Sequence, residues 1–174
     1  ISKVNGSVKI EPGQQVGDVS TVNGSVTIGA GARAGNVETV NGSLKIEDKA
    51  VVGSAETVNG SITVGAEAEV QRAVEAVNGS LTLRQGAKVA GGLENVNGSM
   101  LVEGARVAGG IETVNGDIRL ATGSHVTGGI HGEEHKSSWR KGKNSRNPRI
   151  TIEQGVTVVP VLNKIDLPSA DPDR

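Results

Sequence analysis

The feature that most constrains the fold is a Val-Asn-Gly-Ser or Val-Asn-Gly-Asp motif that returns seven times along the 174 residues. Successive motif asparagines are separated by 18, 18, 18, 19, 19 and 18 residues. The motif asparagines are Asn5, Asn23, Asn41, Asn59, Asn78, Asn97 and Asn115. Self-similarity at such a period predicts supersecondary units that stack on one another.

Each repeat contains three short apolar segments. The first carries a valine directly before the motif asparagine. The second alternates apolar, polar and apolar residues, as in Val26-Thr27-Ile28, and this period of two is typical of a strand with one buried face. The third segment pairs small or β-branched residues, such as Ala34 with Val37 and Val52 with Ala55. Three strands in about 18 residues predict a triangular coil with one turn per repeat.

The predicted fold class is therefore all-β, a single-stranded parallel β-helix (solenoid) with about three short strands per turn of 18–19 residues. We favour right-handed winding because parallel crossovers are right-handed, although solenoids with six-residue sides include left-handed examples. Helix is disfavoured by the recurrent Asn-Gly and the β-branched residues. Separate hairpins would need antiparallel strands around every Asn-Gly, whereas only one Asn-Gly occurs per three strands.

Composition supports a narrow aliphatic core and excludes several kinds of site. The chain has no Phe or Tyr, and its single aromatic residue is Trp139. It has no cysteine, which excludes disulfides and thiolate metal sites. The net charge of −1 predicts no specific nucleic-acid partner.

The Asn-Gly pair predicts a corner of the coil, because both residues tolerate left-handed backbone angles. Parallel stacking would place the seven motif asparagines above one another, where their amides can form a hydrogen-bonded ladder. We interpret these asparagines as structural. A ligand-binding row of amides is the alternative.

A second column lies three residues before the motif asparagine. It consists of Glu38, Glu56, Glu75, Glu94 and Glu112. We interpret it as a solvated acidic edge; the alternative is a weak Ca²⁺ site or a surface for a basic partner, since calcium needs several oxygens per ion. Three histidines, His125, His131 and His135, cluster near the seventh repeat, and a metal site there competes with exposed loop histidines.

The repeat is interrupted once, which divides the chain into four parts. Residues 1–131 form the solenoid of seven repeats, 132–149 a basic insertion, 150–157 a returning solenoid strand, and 158–174 a tail without repeats. The insertion offers cations beside an aromatic stacking face, a combination that suits an anionic envelope glycan or lipid. Its candidate contact residues are Lys136, Trp139, Arg140, Lys141, Lys143 and Arg146.

The tail, VVPVLNKIDLPSADPDR, resembles the guanine-specificity segment of translational GTPases of the LepA type. Asn163, Lys164 and Asp166 match the N-K-x-D motif of that family, in which Asn and Asp read the guanine edge. The remainder of a GTPase has no counterpart, because the sequence contains no P-loop and so no cradle for phosphate and Mg²⁺. We interpret the tail as a graft or a wrongly assigned terminus.

Over residues 1–131 the pattern VNGS-h-x-h…G-A-x-V-x-G-x-h-E-T resembles bacterial envelope β-solenoids described as adhesin-like or polymer-forming. The basic insertion with its tryptophan and the returning Pro-Arg-Ile strand extend the likeness. The pattern is more distantly similar to bactofilins, cytoskeletal β-helices that polymerise end to end. The resemblance implies an exported protein of the bacterial envelope, periplasmic or on the surface, with no catalytic residues and no cofactor.

Three functions remain open at this point. The first is a non-catalytic scaffold or adhesin-like protein, the second a carbohydrate-binding or carbohydrate-cleaving β-helix, and the third nucleotide binding through the tail. We also expect a monomer, or a dimer closed through the N-terminal end of the solenoid, because the prolines of the tail cannot extend a strand ladder.

Overall fold

The computed structural model of the chain describes residues 1–132 and 149–159. In these two ranges every regular element is a β-strand, and all strand pairs are parallel. The strands form three sheets that run along the molecule, and each turn of the chain adds one strand to each sheet in succession. The predicted parallel β-solenoid is confirmed; its handedness stays a prediction.

Sheet A contains the strands that end in the motif asparagine. Its strands in order are β1 (Ser2–Asn5), β3 (Val19–Asn23), β6 (Val37–Asn41), β9 (Ala55–Asn59), β12 (Val74–Asn78), β15 (Leu93–Asn97), β18 (Ile111–Asn115) and β21 (Ile130–Gly132). The register places identical motif positions together, so that Asn41 pairs with Asn59 and Glu38 with Glu56.

Sheet B contains the three-residue strands that follow the motif. They are β2 (Val8–Ile10), β4 (Val26–Ile28), β7 (Leu44–Ile46), β10 (Ile62–Val64), β13 (Leu81–Leu83), β16 (Met100–Val102), β19 (Ile118–Leu120) and β22 (Ile150–Ile152). After the insertion, Ile150 pairs with Ile118, so the chain resumes the same sheet one turn further on.

Sheet C contains strands of only two residues each. They are β5 (Arg33–Ala34), β8 (Val51–Val52), β11 (Glu69–Val70), β14 (Lys88–Val89), β17 (Arg106–Val107), β20 (His125–Val126) and β23 (Thr157–Val158). The boundary of the third predicted segment differs from the structure here. Ala34 lies on sheet C, whereas Val37 begins the next strand of sheet A, because the chain bends at Gly35 and Asn36 between them.

The core is a column of aliphatic side chains enclosed by the three sheets. In one turn, Val37, Leu44, Ile46 and Val52 are each at most 1% exposed. Burial of each such side chain stabilises the fold by roughly 1.5–3 kcal/mol. Because every turn contributes the same kinds of residues, the chain builds this core without aromatic side chains.

The glycine of the motif is required by close stacking of the corners. A Cβ at Gly42 would lie 2.1 Å from the carbonyl oxygen of Gly24 on the preceding turn. The expected left-handed asparagine is wrong: the described residues other than glycine with positive φ are Lys49 and Glu67, and neither belongs to the motif. Steric contact between turns requires a residue without a Cβ, and Gly6 (φ 112°) and Gly98 (φ 142°) also have the positive φ expected of the motif glycine. Asparagine is present for its side chain.

Candidate functional site

The outer face of sheet A carries two parallel columns of exposed side chains. Strand alternation turns Val37 and Thr39 of β6 inward and leaves Glu38, Val40 and Asn41 outside. Since the same register holds on every turn, the glutamates form one column and the valines another. Together they line an open groove of about 710 Å³.

The acidic column is continuous over five turns. Its members are Glu38, Glu56, Glu75, Glu94 and Glu112, and each pairs in register with the next. Neighbouring strands lie about 4.8 Å apart, so carboxylates of like charge follow one another closely. Partial burial, followed by the charges of Glu94 and Glu56, raises the pKa of Glu75. His131 occupies the next position beyond Glu112.

The valine column is exposed along the same face. Its fractional exposure is 40% at Val22, 41% at Val58 and 38% at Val96. Valine is usually buried, and contiguous exposed apolar surface marks interaction sites. The sequence gives little warning of this feature, because an apolar residue in a strand is ordinarily assigned to the core.

Several inward residues between these columns form structural hydrogen bonds. Thr39 Oγ1 donates a hydrogen bond of 3.0 Å to the carbonyl oxygen of Gly24, and Thr57 Oγ1 donates one of 3.1 Å to Gly42. Asn95 replaces threonine on a later turn, and its Nδ2 donates to the carbonyl oxygen of Gly79 at 2.9 Å. These bonds tie the floor of the groove to the Asn-Gly corners.

The motif asparagines form a hydrogen-bonded ladder along the corner beside the valine column. Asn59 Nδ2 donates to Asn41 Oδ1 at 2.9 Å, and Asn78 Nδ2 donates to Asn59 Oδ1 at 3.0 Å. The same bond joins the other successive pairs, at 2.9–3.2 Å. Each internal asparagine thus donates to one neighbour and accepts from the other, which is the geometry of a structural ladder.

The structure does not gather the predicted metal ligands around one point. Among the described residues there is no group of three or more His, Asp or Glu that could hold a metal ion. His125 lies on sheet C and His131 on sheet A, so the histidines that are close in sequence occupy different faces. His135 lies outside the described residues.

The predicted contact residues of the basic insertion also lie outside the described residues. They are Lys136, Trp139, Arg140, Lys141, Lys143 and Arg146. The same applies to the N-K-x-D residues Asn163, Lys164 and Asp166 of the tail.

In the part of the chain that is described, no helix is long and apolar enough to cross a membrane.

The basic residues of the other two faces differ in their pairing. On sheet B, Lys45 lies 3.3 Å from Glu47, and Arg119 lies 2.8 Å from Glu153. That contact with Arg119, followed by the hydrogen bond from the backbone of Thr122, lowers the pKa of Glu153. On sheet C, the exposed Lys88 and Arg106 form no ion pair with any described residue.

Comparison with known proteins yields short matches that cover a small part of the chain. No family model and no solved structure matches the chain. Elongation factor 4 from two strains of Mycobacterium leprae, Br4923 and TN, is 61% identical to the chain over 28 residues. These residues are 16% of the chain and 4% of the elongation factor. The match is too short to show a family for the solenoid, and the likeness to envelope solenoids and bactofilins stays a prediction.

Proposed function

We propose that the chain is a non-catalytic structural or adhesin-like solenoid of the bacterial cell envelope, with the outer face of sheet A as its interaction surface. The observation that carries the proposal is the pair of columns on that face, since exposed valines run beside five carboxylates over consecutive turns. Apolar contact can supply affinity there, and the fixed charge can select the partner.

The regularity of the face supports a non-catalytic role. Acid–base catalysis requires different groups that converge on one reacting atom. The described columns instead repeat one residue type at intervals of about 4.8 Å. Such an arrangement suits an extended partner that contacts several turns at once.

Co-sedimentation with bacterial envelope fragments tests this role. The test variant replaces the outward residues Val58, Val77 and Val96 with threonine, which keeps the β-branched shape and removes apolar surface. The loss of three methyl groups, at about 0.8 kcal/mol per buried carbon, predicts binding weaker by about tenfold or more. The control variant carries Thr63→Val and Thr82→Val on the outer face of sheet B and should bind like the unaltered chain.

Equal binding by both variants, or no binding of the unaltered chain, would refute the proposal. Hydrolysis of a glycan would instead support the carbohydrate-active alternative. Saturable binding of GTP that Asp166→Ala abolishes would support nucleotide binding through the tail. If envelope binding survived the valine substitutions but was lost when the basic residues of the insertion became serine, the insertion would be the contact surface.

A further inference from the structure

The outer face of sheet C carries a second charged column. The first residue of each two-residue strand points outward, and successive turns pair these residues in register. From β11 to β20 the column reads Glu69, Lys88, Arg106 and His125. The next outward residue is Thr157 of β23.

This order is the charge complement of the column on sheet A, read in the opposite direction. Along sheet A the order is Glu75, Glu94, Glu112 and His131. We propose that sheet A of one molecule packs against sheet C of a second copy, with the two solenoid axes antiparallel. The four facing pairs are Glu75 with His125, Glu94 with Arg106, Glu112 with Lys88, and His131 with Glu69.

A second pair of columns fits the same arrangement. On sheet A, the exposed valine lies two residues after the glutamate. On sheet C, the exposed Ala90 and Ala108 lie two residues after Lys88 and Arg106. When two coils of one hand lie with antiparallel axes, the strands that face each other run in the same direction. The glutamates then meet the cations, and Val96 and Val114 meet the small Ala108 and Ala90.

The common repeat of the two faces favours a second copy over an unrelated partner. Both faces repeat at the strand spacing of about 4.8 Å, so pairs that match on one turn also match on the next. An α-helix has a pitch of 5.4 Å and would drift from the glutamate column by about 3 Å over five turns. A second solenoid stays in register over the whole contact.

Two other ways to pair the faces are less favourable. With parallel axes the facing strands run in opposite directions, so a register that brings glutamates to Lys88 and Arg106 places the exposed valines away from Ala90 and Ala108. The outer face of sheet B is a poorer partner because its Lys45 and Arg119 are already paired with carboxylates of their own chain. The antiparallel contact between sheets A and C avoids both problems.

This inference rests on the proposed interaction role of sheet A and names its partner. The contact spans about four turns of narrow faces. Its buried area is therefore well below the roughly 800 Å² per partner of a stable interface. Association should therefore be weak and should depend on salt. Since sheet A of one copy meets sheet C of the next, each copy keeps one face free, and association can extend beyond a dimer. This differs from the monomer or closed dimer that the sequence alone leads us to expect.

Analytical ultracentrifugation of the full chain tests the contact by charge reversal. At about 0.01 M salt, where charges act over ~30 Å, the unaltered chain should associate with rising concentration, and at about 1 M salt it should not. Glu94→Lys with Glu112→Lys should abolish association, as should Lys88→Glu with Arg106→Glu. A mixture of the two variants should associate again, because the reversed sheet A of one complements the reversed sheet C of the other.

The matched control is Lys9→Glu with Lys45→Glu on sheet B, which changes the net charge by the same amount as the sheet C variant. It should associate like the unaltered chain. Loss of association in this control would overturn the proposal, as would its persistence in both reversed variants or the absence of rescue on mixing.

Cysteine cross-linking tests the antiparallel register in a chain that has no cysteine of its own. A Val114→Cys chain mixed with an Ala90→Cys chain should form an intermolecular disulfide at low salt. Val77→Cys mixed with Ala90→Cys should not, because Val77 lies two turns, about 9.6 Å, from Val114, the valine that faces Ala90 in this register. The reverse result would overturn the proposed orientation.

The two proposals fail in different experiments. If the chain stays monomeric at every concentration but binds envelope fragments through the valine column, the self-association is refuted and the interaction role survives. If it associates as described but binds no envelope material, the envelope role fails and the contact between copies stands.

Discussion

The asparagine and glutamate columns stand three residues apart on the same strands, yet stacking has opposite consequences for them. Each asparagine amide has a donor and an acceptor, so Asn59 donates to Asn41 and accepts from Asn78. Each ionised glutamate can only accept, so Glu75 gains no bond from Glu56 or Glu94 and is repelled by both. In a parallel solenoid, the interaction between two identical stacked side chains is repeated on successive turns, whether it is favourable or unfavourable.

The comparison indicates why one column is structural and the other is available for binding. The asparagine ladder satisfies its polar groups within the molecule. The glutamate column forms no ion pair with the described residues, so its charge is available to a partner that brings cations. A partner that brings cations relieves the repulsion between the stacked glutamates, and it breaks no internal hydrogen bond of the ladder. The charge of the column can therefore select such a partner.

The largest expected effect comes from Asn59→Asp. This substitution places in the asparagine column a side chain that, like glutamate, can only accept hydrogen bonds. The new carboxylate cannot donate to Asn41 and places oxygen against oxygen in the middle of the ladder. Loss of a bond with an unmatched acceptor predicts a decrease of about 1–3 kcal/mol in the free energy of unfolding. Urea denaturation measures this change.

The control for that variant is Asn5→Asp at the end of the ladder. Asn5 only accepts from Asn23, and aspartate can still accept, so the decrease should be much smaller. Equal decreases at the two positions would contradict a cooperative ladder.

A smaller effect of opposite sign is expected for Glu75→Gln. Glutamine removes the central charge of the acidic column and can both donate and accept. Relief of like-charge contact predicts an increase of a few tenths to about 1 kcal/mol in the free energy of unfolding at neutral pH. Thermal denaturation at low salt measures it, and Glu11→Gln, which removes a charge paired with Lys9, should not stabilise the chain.

Much of this architecture could be predicted from the sequence because the same pattern of residues occurs in seven repeats. The alternation in Val26-Thr27-Ile28 is long enough to identify inward and outward positions. The two-residue strands of sheet C are too short to show alternation, and their outward residue varies from Arg33 to Glu69 to His125. The sequence pattern therefore does not predict the charged column on sheet C.

The exposed valines show a second limit of sequence reasoning. Hydrophobicity predicts burial, but Val40 lies three positions after the inward Val37, an odd offset that makes it point outward in a strand. The outward position of Val40 follows from the two-residue period of the strand and cannot be predicted from its hydrophobicity. The backbone freedom predicted for the corner glycine is confirmed by the positive φ of Gly6 and Gly98. The close contact between Gly42 and Gly24 depends in addition on stacking that only the assembled coil shows.

Among the described residues no cation pairs with the acidic column, and a carbon-13 NMR titration of the Glu75 side chain tests the consequence most directly. At a salt concentration that keeps the chain monomeric, we expect a Glu75 pKa above the ordinary value of 4.5, caused first by burial and then by Glu94 and Glu56. The folded chain then holds this proton more tightly than the unfolded chain, so stability falls as pH rises from 4.5 through the raised pKa. Glu153, paired with Arg119, serves as the internal control and should titrate below 4.5. A Glu75 pKa at or below 4.5 would instead show that burial and the neighbouring carboxylates do not disfavour its charged form.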